Sequence, residues 1–211
     1  MWRLAARCAG KESTPDAILA EKRKFLHRNG IESAQLANWL EQLNRDSQWL
    51  DEMLTIEAAY QKHRNTLLVP EARQRELMAL RLPLTRFETE VVELESHDAV
   101  KEALFCVRED GMSMEEVATE GRYPYRRVDF VLEDLPVDAQ HRFLSVSAGA
   151  VLEPSARGDG FELCRIIKKI EPHSDDPSVK SRIDQRLLDR HFSELTSKYT
   201  RRRLGTPIPT E

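Results

Sequence analysis

This sequence has few of the residue types that build disulfide frameworks and metal centres. Its 211 residues include only three cysteines, at positions 8, 106 and 164, and no CxxC pair. Neither a disulfide framework nor a zinc site is therefore expected, and the cysteines are interpreted as reduced thiols. The six histidines form no HxxxH or HxH pair, so we predict no metal and no other cofactor.

The sequence also lacks long apolar runs and an excess of basic residues. No segment reaches the apolar length that a bilayer-spanning helix needs, so membrane insertion is not expected. Arg3 and Arg7 interrupt the apolar N-terminal stretch, which argues against an export signal and favours a cytoplasmic location. The formal net charge is -4, and this charge argues against a broadly basic surface for nucleic acid.

What the sequence does contain is typical of a folded, soluble protein. Apolar residues make up 40% of the chain and charged residues 32%, which separates it from disordered proteins. The length predicts one or two domains with a sizeable core.

Residues 1–83 are predicted to form a helical lobe. The segment "STPDAILAEKRKFLHRNG" offers Ser13 or Thr14 as the N-cap of a helix. Two further helices are predicted in "SAQLANWLEQL" and from about residue 46, because apolar residues recur there at helical spacing. A short helix over 71–80 completes the lobe, and a proline then breaks the pattern.

Residues 84–172 are predicted to form an α+β domain. "RFETEVVEL" is rich in β-branched and aromatic residues and predicts a strand. "SHDAVKEALFCVREDG" and "SMEEVATEG" predict helices, the second with a capping box of Ser113 and Glu116. "YPYRRVDFVL" is interpreted as extended and "PVDAQHRFLSV" as a helix. "AVLEPSA" and "FELCRIIKKI" predict an antiparallel hairpin, which gives a small, mainly antiparallel sheet flanked by helices.

Residues 173–200 are predicted to form a C-terminal helix. Apolar residues recur on one side of it from Val179 to Tyr199. We expect this helix to pack back on the N-terminal lobe, and we interpret residues 201–211 as a flexible tail.

The order of these elements resembles that of the parvulin (PpiC-like) family of peptidyl-prolyl isomerases. The stretch "FLSVSAGAVLEPSARGDGFELCRIIKKIEP" is similar to the closing part of that domain in its glycine turn, its strand reaching Pro154 and its glycine-aromatic pair, Gly160 and Phe161. The helical flanks resemble those of SurA- and PrsA-like folding factors. The resemblance implies a domain that rotates an X-Pro bond against a barrier of roughly 18–20 kcal/mol.

The resemblance implies two histidines at the base of the active site, and both are missing. The first falls near Thr89 or Glu90, and the second falls on Glu162. Glu90 and Glu162 have two interpretations. They face each other on neighbouring strands, where repulsion between carboxylates raises one pKa, or they are two surface glutamates. Either way, the active site is expected to be degenerate.

The resemblance also implies an apolar pocket for the proline ring. Phe130 aligns with its aromatic residue, Leu135 with an apolar one, and the small Ala139 with a third, which leaves the pocket shallow. Phe130 is interpreted either as a groove residue or as ordinary core. Cys164 is interpreted as a buried structural cysteine rather than a nucleophile, because no histidine is close in sequence. The candidate peptide-binding groove comprises Phe130, Leu135, Ala139, Glu90, Glu162 and Cys164.

The sequence therefore predicts a chaperone-like accessory protein that binds a peptide or an unfolded client. Its expected role lies in protein folding, peptide maturation or secretion, with weak or absent isomerase activity. The alternative is an active isomerase with a rewired site, because rotation about the bond needs no general base. A helical DNA-binding regulator, suggested by "SAQLANWLEQLNRD", is a third hypothesis that the acidic composition argues against. The oligomeric state is left open.

Overall fold

Residues 1–9 and 13–199, which the computed structural model describes, divide into a helical unit and a mixed unit. The helical unit comprises Met1–Glu76 and the described residues from Lys180 onward, and the mixed unit comprises Leu77–Val179. Two separate stretches of chain therefore build the helical unit, and the mixed unit is inserted between them.

The domain boundaries inferred from the sequence differ from this division by several residues. Positions 83 and 172 both lie inside the mixed unit, which includes the chain leading into its first strand and the loop after its last strand. The flexible tail predicted over 201–211 lies outside the described residues.

The described part of the helical unit is built from α-helices. They are α1 (Trp2–Ala9), α2 (Pro15–Asn29), α3 (Leu36–Gln42), α4 (Ser47–Leu67), α5 (Pro70–Ala79) and the C-terminal helix α9 (Pro177–Tyr199). The last residues of α5 and the first residues of α9 belong to the mixed unit. Among the helices described, none combines the length and the apolar character needed to cross a bilayer.

Capping residues define the ends of α2 and α4. Thr14 Oγ1 accepts a hydrogen bond from the Ala17 N–H at 3.4 Å, at the start of α2. Gly30, with a φ of +64°, ends α2 in the left-handed conformation that glycine adopts at little cost. Asp46 Oδ1 accepts a hydrogen bond from the Trp49 N–H at 2.8 Å and starts α4. Thr14 is therefore the one of the two proposed caps that begins α2, whereas α4 was predicted from the spacing of its apolar residues.

The helical unit buries two apolar clusters. The first joins α2, α3 and α4, and its buried members are Phe25, Leu40, Leu50 and Leu54. The second joins α1, α4 and α9 around Phe192, which is fully buried. The Phe192 ring stacks on Trp2 and Tyr60, with centroid distances of 5.5 and 5.0 Å. Helix α9 therefore packs against the N-terminal helices, including α1, which the sequence analysis did not predict.

The mixed unit confirms the predicted α+β class, with a four-stranded antiparallel sheet flanked by helices. Its strands are β1 (Arg86–Leu94), β2 (Tyr125–Val131), β3 (Ser155–Arg157) and β4 (Gly160–Ile170). Its helices are α6 (His97–Arg108), α7 (Met114–Gly121) and α8 (Val137–Leu144). The strand order is β2-β1-β4-β3, and every neighbouring pair is antiparallel.

Two local features of this unit were predicted from the sequence. The structure confirms the first fully and the second in part. The capping box of α7 is confirmed, because Ser113 Oγ accepts from the Glu116 N–H at 3.1 Å and Glu116 Oε2 accepts from the Ser113 N–H at 2.8 Å. The hairpin forms, but "AVLEPSA" is mostly not a strand. Only Ser155–Arg157 pairs continuously with β4, and Val151 makes an isolated bridge. The intervening proline has no N–H with which to continue the ladder.

The sheet is covered on both faces, but over different parts of its length. On β1, Phe87, Thr89 and Val91 are buried on one face, whereas Val92 and Leu94 are buried on the other. Helices α6 and α7 supply the cluster against the second face. Helix α8 packs against the first face, which we call the α8 face.

Candidate functional site

The α8 face carries three of the six residues that the sequence analysis proposed for a groove, Phe130, Glu162 and Cys164. The strand registers place eleven side chains on it, because side chains alternate between the two faces of a strand. They are Phe87, Thr89, Val91 and Glu93 of β1, Arg126, Val128 and Phe130 of β2, and Glu162, Cys164, Ile166 and Lys169 of β4. One end of the face is aromatic, the middle consists of smaller buried side chains, and the other end is charged.

The aromatic end is a cluster of three phenylalanines. Phe87 and Phe130 stack with 5.6 Å between ring centroids and an interplanar angle of 3°. Phe143, from α8, meets both rings edge-on at 5.6 and 5.0 Å. Such edge-to-face pairs contribute about 0.5–1.5 kcal/mol beyond the area they bury. The cluster therefore joins α8 firmly to the sheet.

A lysine holds the C-terminal end of α8 over this cluster. Lys169 Nζ donates hydrogen bonds to the carbonyl oxygens of Phe143, at 2.8 Å, and Val146. The ammonium also lies 5.3 Å from the centre of the Phe87 ring. Burial lowers the pKa of Lys169. A cation at a helix C-terminus is favourable, so this side chain stabilises the docking of α8.

At the position predicted for the proline pocket, side chains of the protein pack against the half-buried Phe130. Phe130 belongs to the apolar cluster that Phe143 and Leu152 complete. Phe143 lies four residues after Ala139, one turn further along the same side of α8. Ala139 and Leu135 are both half-buried, and Leu135 lies in the connection that precedes α8. The large side chain that packs near Phe130 is therefore Phe143, one helical turn after Ala139, the position that the sequence analysis proposed.

The middle of the α8 face is buried, and its polar side chains are not reactive groups. Thr89 is 1% exposed, and its Oγ1 donates a hydrogen bond to the Val128 carbonyl oxygen at 2.8 Å. The Cys164 thiol is buried beside it, and this burial, with a smaller effect from Glu162, raises its pKa to about 12. A thiol with that pKa is protonated at neutral pH and is a poor nucleophile.

The charged end of the face is a network of two glutamates and two arginines. Glu93 and Glu162 are directly opposite each other on β1 and β4. Arg126 Nη2 lies 3.1 Å from a carboxylate oxygen of each. Arg157 donates a second hydrogen bond to Glu162, and this contact raises the pKa of Arg157. The arginines offset the repulsion that two opposed carboxylates would otherwise cause.

Of the two interpretations of Glu90 and Glu162, the one in which they face each other on neighbouring strands is wrong. Glu90 pairs with Arg165 and lies on the opposite face of the sheet from Glu162. There it accepts a hydrogen bond from Tyr125 Oη at 2.9 Å, and the Arg127 guanidinium lies 3.4 Å away. Glu93 holds the facing position instead, and because it lies three residues after Glu90, side-chain alternation along β1 places the two on opposite faces.

Sequence reasoning missed Phe143, Lys169 and the arginines that hold Glu162. A usable signal existed for the charged end, because Glu93 lies four residues after Thr89 and therefore on the same strand face. No comparable local signal places α8 over the sheet, since that contact depends on the turn before the helix. Within residues 1–9 and 13–199, no group of three or more His, Cys, Asp or Glu side chains is arranged to hold a metal ion.

Solved structures provide a comparison for this fold. A Bacillus cereus structure described as a peptidylprolyl isomerase (PrsA) has a TM-score of 0.55 and 10% sequence identity to this chain, over 92% of this chain and 76% of that one. A Bacillus anthracis structure with the same description has a TM-score of 0.47 and 10% identity, over 93% and 94%. The first comparison shows that the fold is shared. No protein-family model matches the sequence, and no curated protein matches it.

Proposed function

We propose that this chain is a chaperone-like folding accessory protein that binds peptides or unfolded clients and has weak or no prolyl isomerase activity. The shared fold with a structure described as a peptidylprolyl isomerase supports the folding role. The observation that carries the low isomerase activity is the packing of the α8 face, where Phe143 meets Phe130 edge-on and both pack against the cluster that contains Leu152.

The polar groups of the α8 face also support low isomerase activity. Catalysis of X-Pro rotation needs groups that grip the proline ring and polarise the amide, so that its double-bond character falls. The hydroxyl of Thr89 is engaged by a backbone carbonyl, and the Cys164 thiol is neutral. Glu162 is held by two guanidinium groups. Each group is therefore already committed within the protein.

The alternative is an active isomerase with a rewired site. The network of Glu93, Arg126, Arg157 and Glu162 favours this alternative, because preorganised charges can stabilise the altered polarity of a twisted amide. In this alternative, Phe130 would still have to contact the proline ring, and α8 would have to move to admit it.

Exchange of an X-Pro bond in a short peptide, followed by NMR, distinguishes the two functions. We expect the uncatalysed rate, with a time constant of tens to hundreds of seconds, to persist when the protein is added. Acceleration that Phe130→Ala abolishes would establish the isomerase instead. Phe105→Ala is the matched control, because Phe105 is 58% exposed on α6 in the same unit.

Client binding is tested separately with an unfolded protein. We expect the chain to slow the aggregation of a reduced, carboxymethylated globular protein, measured by light scattering at equimolar ratio. Unchanged aggregation, together with no heat of binding in calorimetry, would contradict the chaperone-like role. The cytoplasmic location inferred from the sequence stays a prediction, which cell fractionation tests, as does a link to peptide maturation or secretion.

A further inference from the structure

The mixed unit contains an open cleft at the end of its sheet. The cleft has a volume of about 520 Å³ and lies where β1 ends, β2 begins and the β3–β4 turn approaches. This volume falls within the range of roughly 300–1,000 Å³ that is typical of ligand pockets. None of the six candidate groove residues lines it. The cleft is therefore a separate feature from the packed α8 face.

The walls of the cleft are mainly apolar. Leu94, Pro124 and Phe161 line it, and Gly160, at the start of β4, lies against the end of β1. A Cβ atom at Gly160 would lie only 2.6 Å from the Leu94 carbonyl oxygen. Glycine at this position allows the β3–β4 turn to close against the end of β1, which shapes one wall of the cleft.

The charged side chains of the cleft are unbalanced in favour of carboxylates. Glu93, Glu95 and Asp159 line it with a single guanidinium, that of Arg157. Arg157 is bound to Glu162, which lies beside the cleft, and Glu93 is bound to Arg126. Glu95 and Asp159 remain, and neither has an ion-pair partner in the part of the chain that the structure describes.

We propose that this cleft binds an extended peptide segment in which an apolar side chain is flanked by lysine or arginine. The apolar side chain contacts Phe161 and Pro124, and the basic side chains lie near Glu95 and Asp159. In an extended chain the two basic side chains, at i and i+2, are about 6.6 Å apart on one side, and the apolar side chain between them points to the other side. The basic and apolar side chains therefore meet different walls of one cleft. This proposal rests on the proposed function, because it specifies the sequence class of the client.

The test is a ¹H–¹⁵N NMR titration of the full chain with three unlabelled peptides. They are GSKLKSG, the acidic counterpart GSELESG, and GSKSKSG, which lacks the apolar residue. We expect GSKLKSG to bind most tightly and to shift the amide signals of residues 93–95 and 159–161. Glu95→Gln and Asp159→Asn should each weaken its binding roughly twofold to fivefold at low salt. Salt at 0.5 M should weaken the wild-type complex as well.

Glu109→Gln is the matched control, because Glu109 is an exposed carboxylate at the end of α6 and outside the cleft. Its affinity for GSKLKSG should equal that of the wild type. Equal binding of the acidic peptide, unchanged affinity in both charge variants, or shifts confined to another region would each overturn the cleft proposal. The aggregation assay distinguishes failure of the cleft proposal from failure of the proposed function. Suppression without cleft binding leaves the proposed function standing, and the absence of both overturns both.

Discussion

Acidification from pH 8 to pH 5 should destabilise the helical unit through a pair of histidines. His63 Nδ1 and His191 Nε2 lie 3.4 Å apart, and both rings contact Phe192. The pKa of His63 is lowered, chiefly because burial disfavours its charged form and also because His191 and Lys62 are close. The unfolded chain therefore binds this proton more strongly than the folded protein does.

The sign and size of the effect follow from this pair. The contribution of neutral His63 to the free energy of unfolding is fully present above the ordinary histidine pKa of about 6.5. It is lost as the pH falls through the lowered pKa of His63 in the folded protein. The ring centroids of His63 and His191 are 5.5 Å apart. Two unit charges at that distance repel by about 3 kcal/mol at an effective dielectric constant of about 20 and by about 0.8 kcal/mol in water. Since both rings are half-buried, we expect the part of the loss that His191 causes, by lowering the pKa of His63, to be about 1 kcal/mol.

Urea unfolding followed by tryptophan fluorescence measures this loss directly. The three tryptophans, at positions 2, 39 and 49, all lie in the helical unit, so the signal reports on that unit. We expect His191→Gln to lose about 1 kcal/mol less stability than the wild type between pH 8 and pH 5. His173→Gln, in the exposed loop after β4, should behave like the wild type. Equal losses in the wild type and in His191→Gln would refute the reasoning.

Three further outcomes are expected in the mixed unit and in α1. Phe143→Ala should lower the free energy of unfolding by roughly 2–4 kcal/mol, less than a fully buried phenylalanine, and equal urea midpoints would contradict the aromatic cluster. Iodoacetamide at pH 8 should label the exposed Cys8 and spare Cys164, whose pKa is raised to about 12, as mass spectrometry of the peptides can show. Gly160→Ala should cost about 1–3 kcal/mol, because the new Cβ would lie 2.6 Å from the Leu94 carbonyl oxygen, and an unchanged thermal midpoint would count against that contact.

The sequence was sufficient for the elements whose signals are local. Ser113 begins the helix that it was expected to begin, Thr14 is the one of the two proposed caps that begins α2, and α4 begins after Asp46, close to the predicted start. The alternating residues of β1 and β4 were likewise enough to place Cys164 on one face with Glu162. These features were predictable because each depends on residues within a few positions of one another.

The features that the sequence did not predict depend on contacts between distant residues. Whether Glu90 or Glu93 opposes Glu162 depends on the strand register, and a shift of one residue moves a side chain to the other face. The position of Phe143 over Phe130 depends on how the chain turns between β2 and α8. Helix α1 was missed because it is short and is stabilised mainly by packing on Phe192. No pattern within the local sequence predicts that contact.

The separation of the helical unit into two stretches of chain has a consequence for biosynthesis. The contact between Trp2 and Phe192 joins residues about 190 positions apart. At roughly 5–20 residues per second, the ribosome adds α9 about 10–40 seconds after α1. During that interval the mixed unit can fold, while the apolar sides of α1 and α4 that α9 later covers stay exposed. The helical unit is therefore completed last, and the nascent chain itself exposes the kind of surface that chaperones recognise.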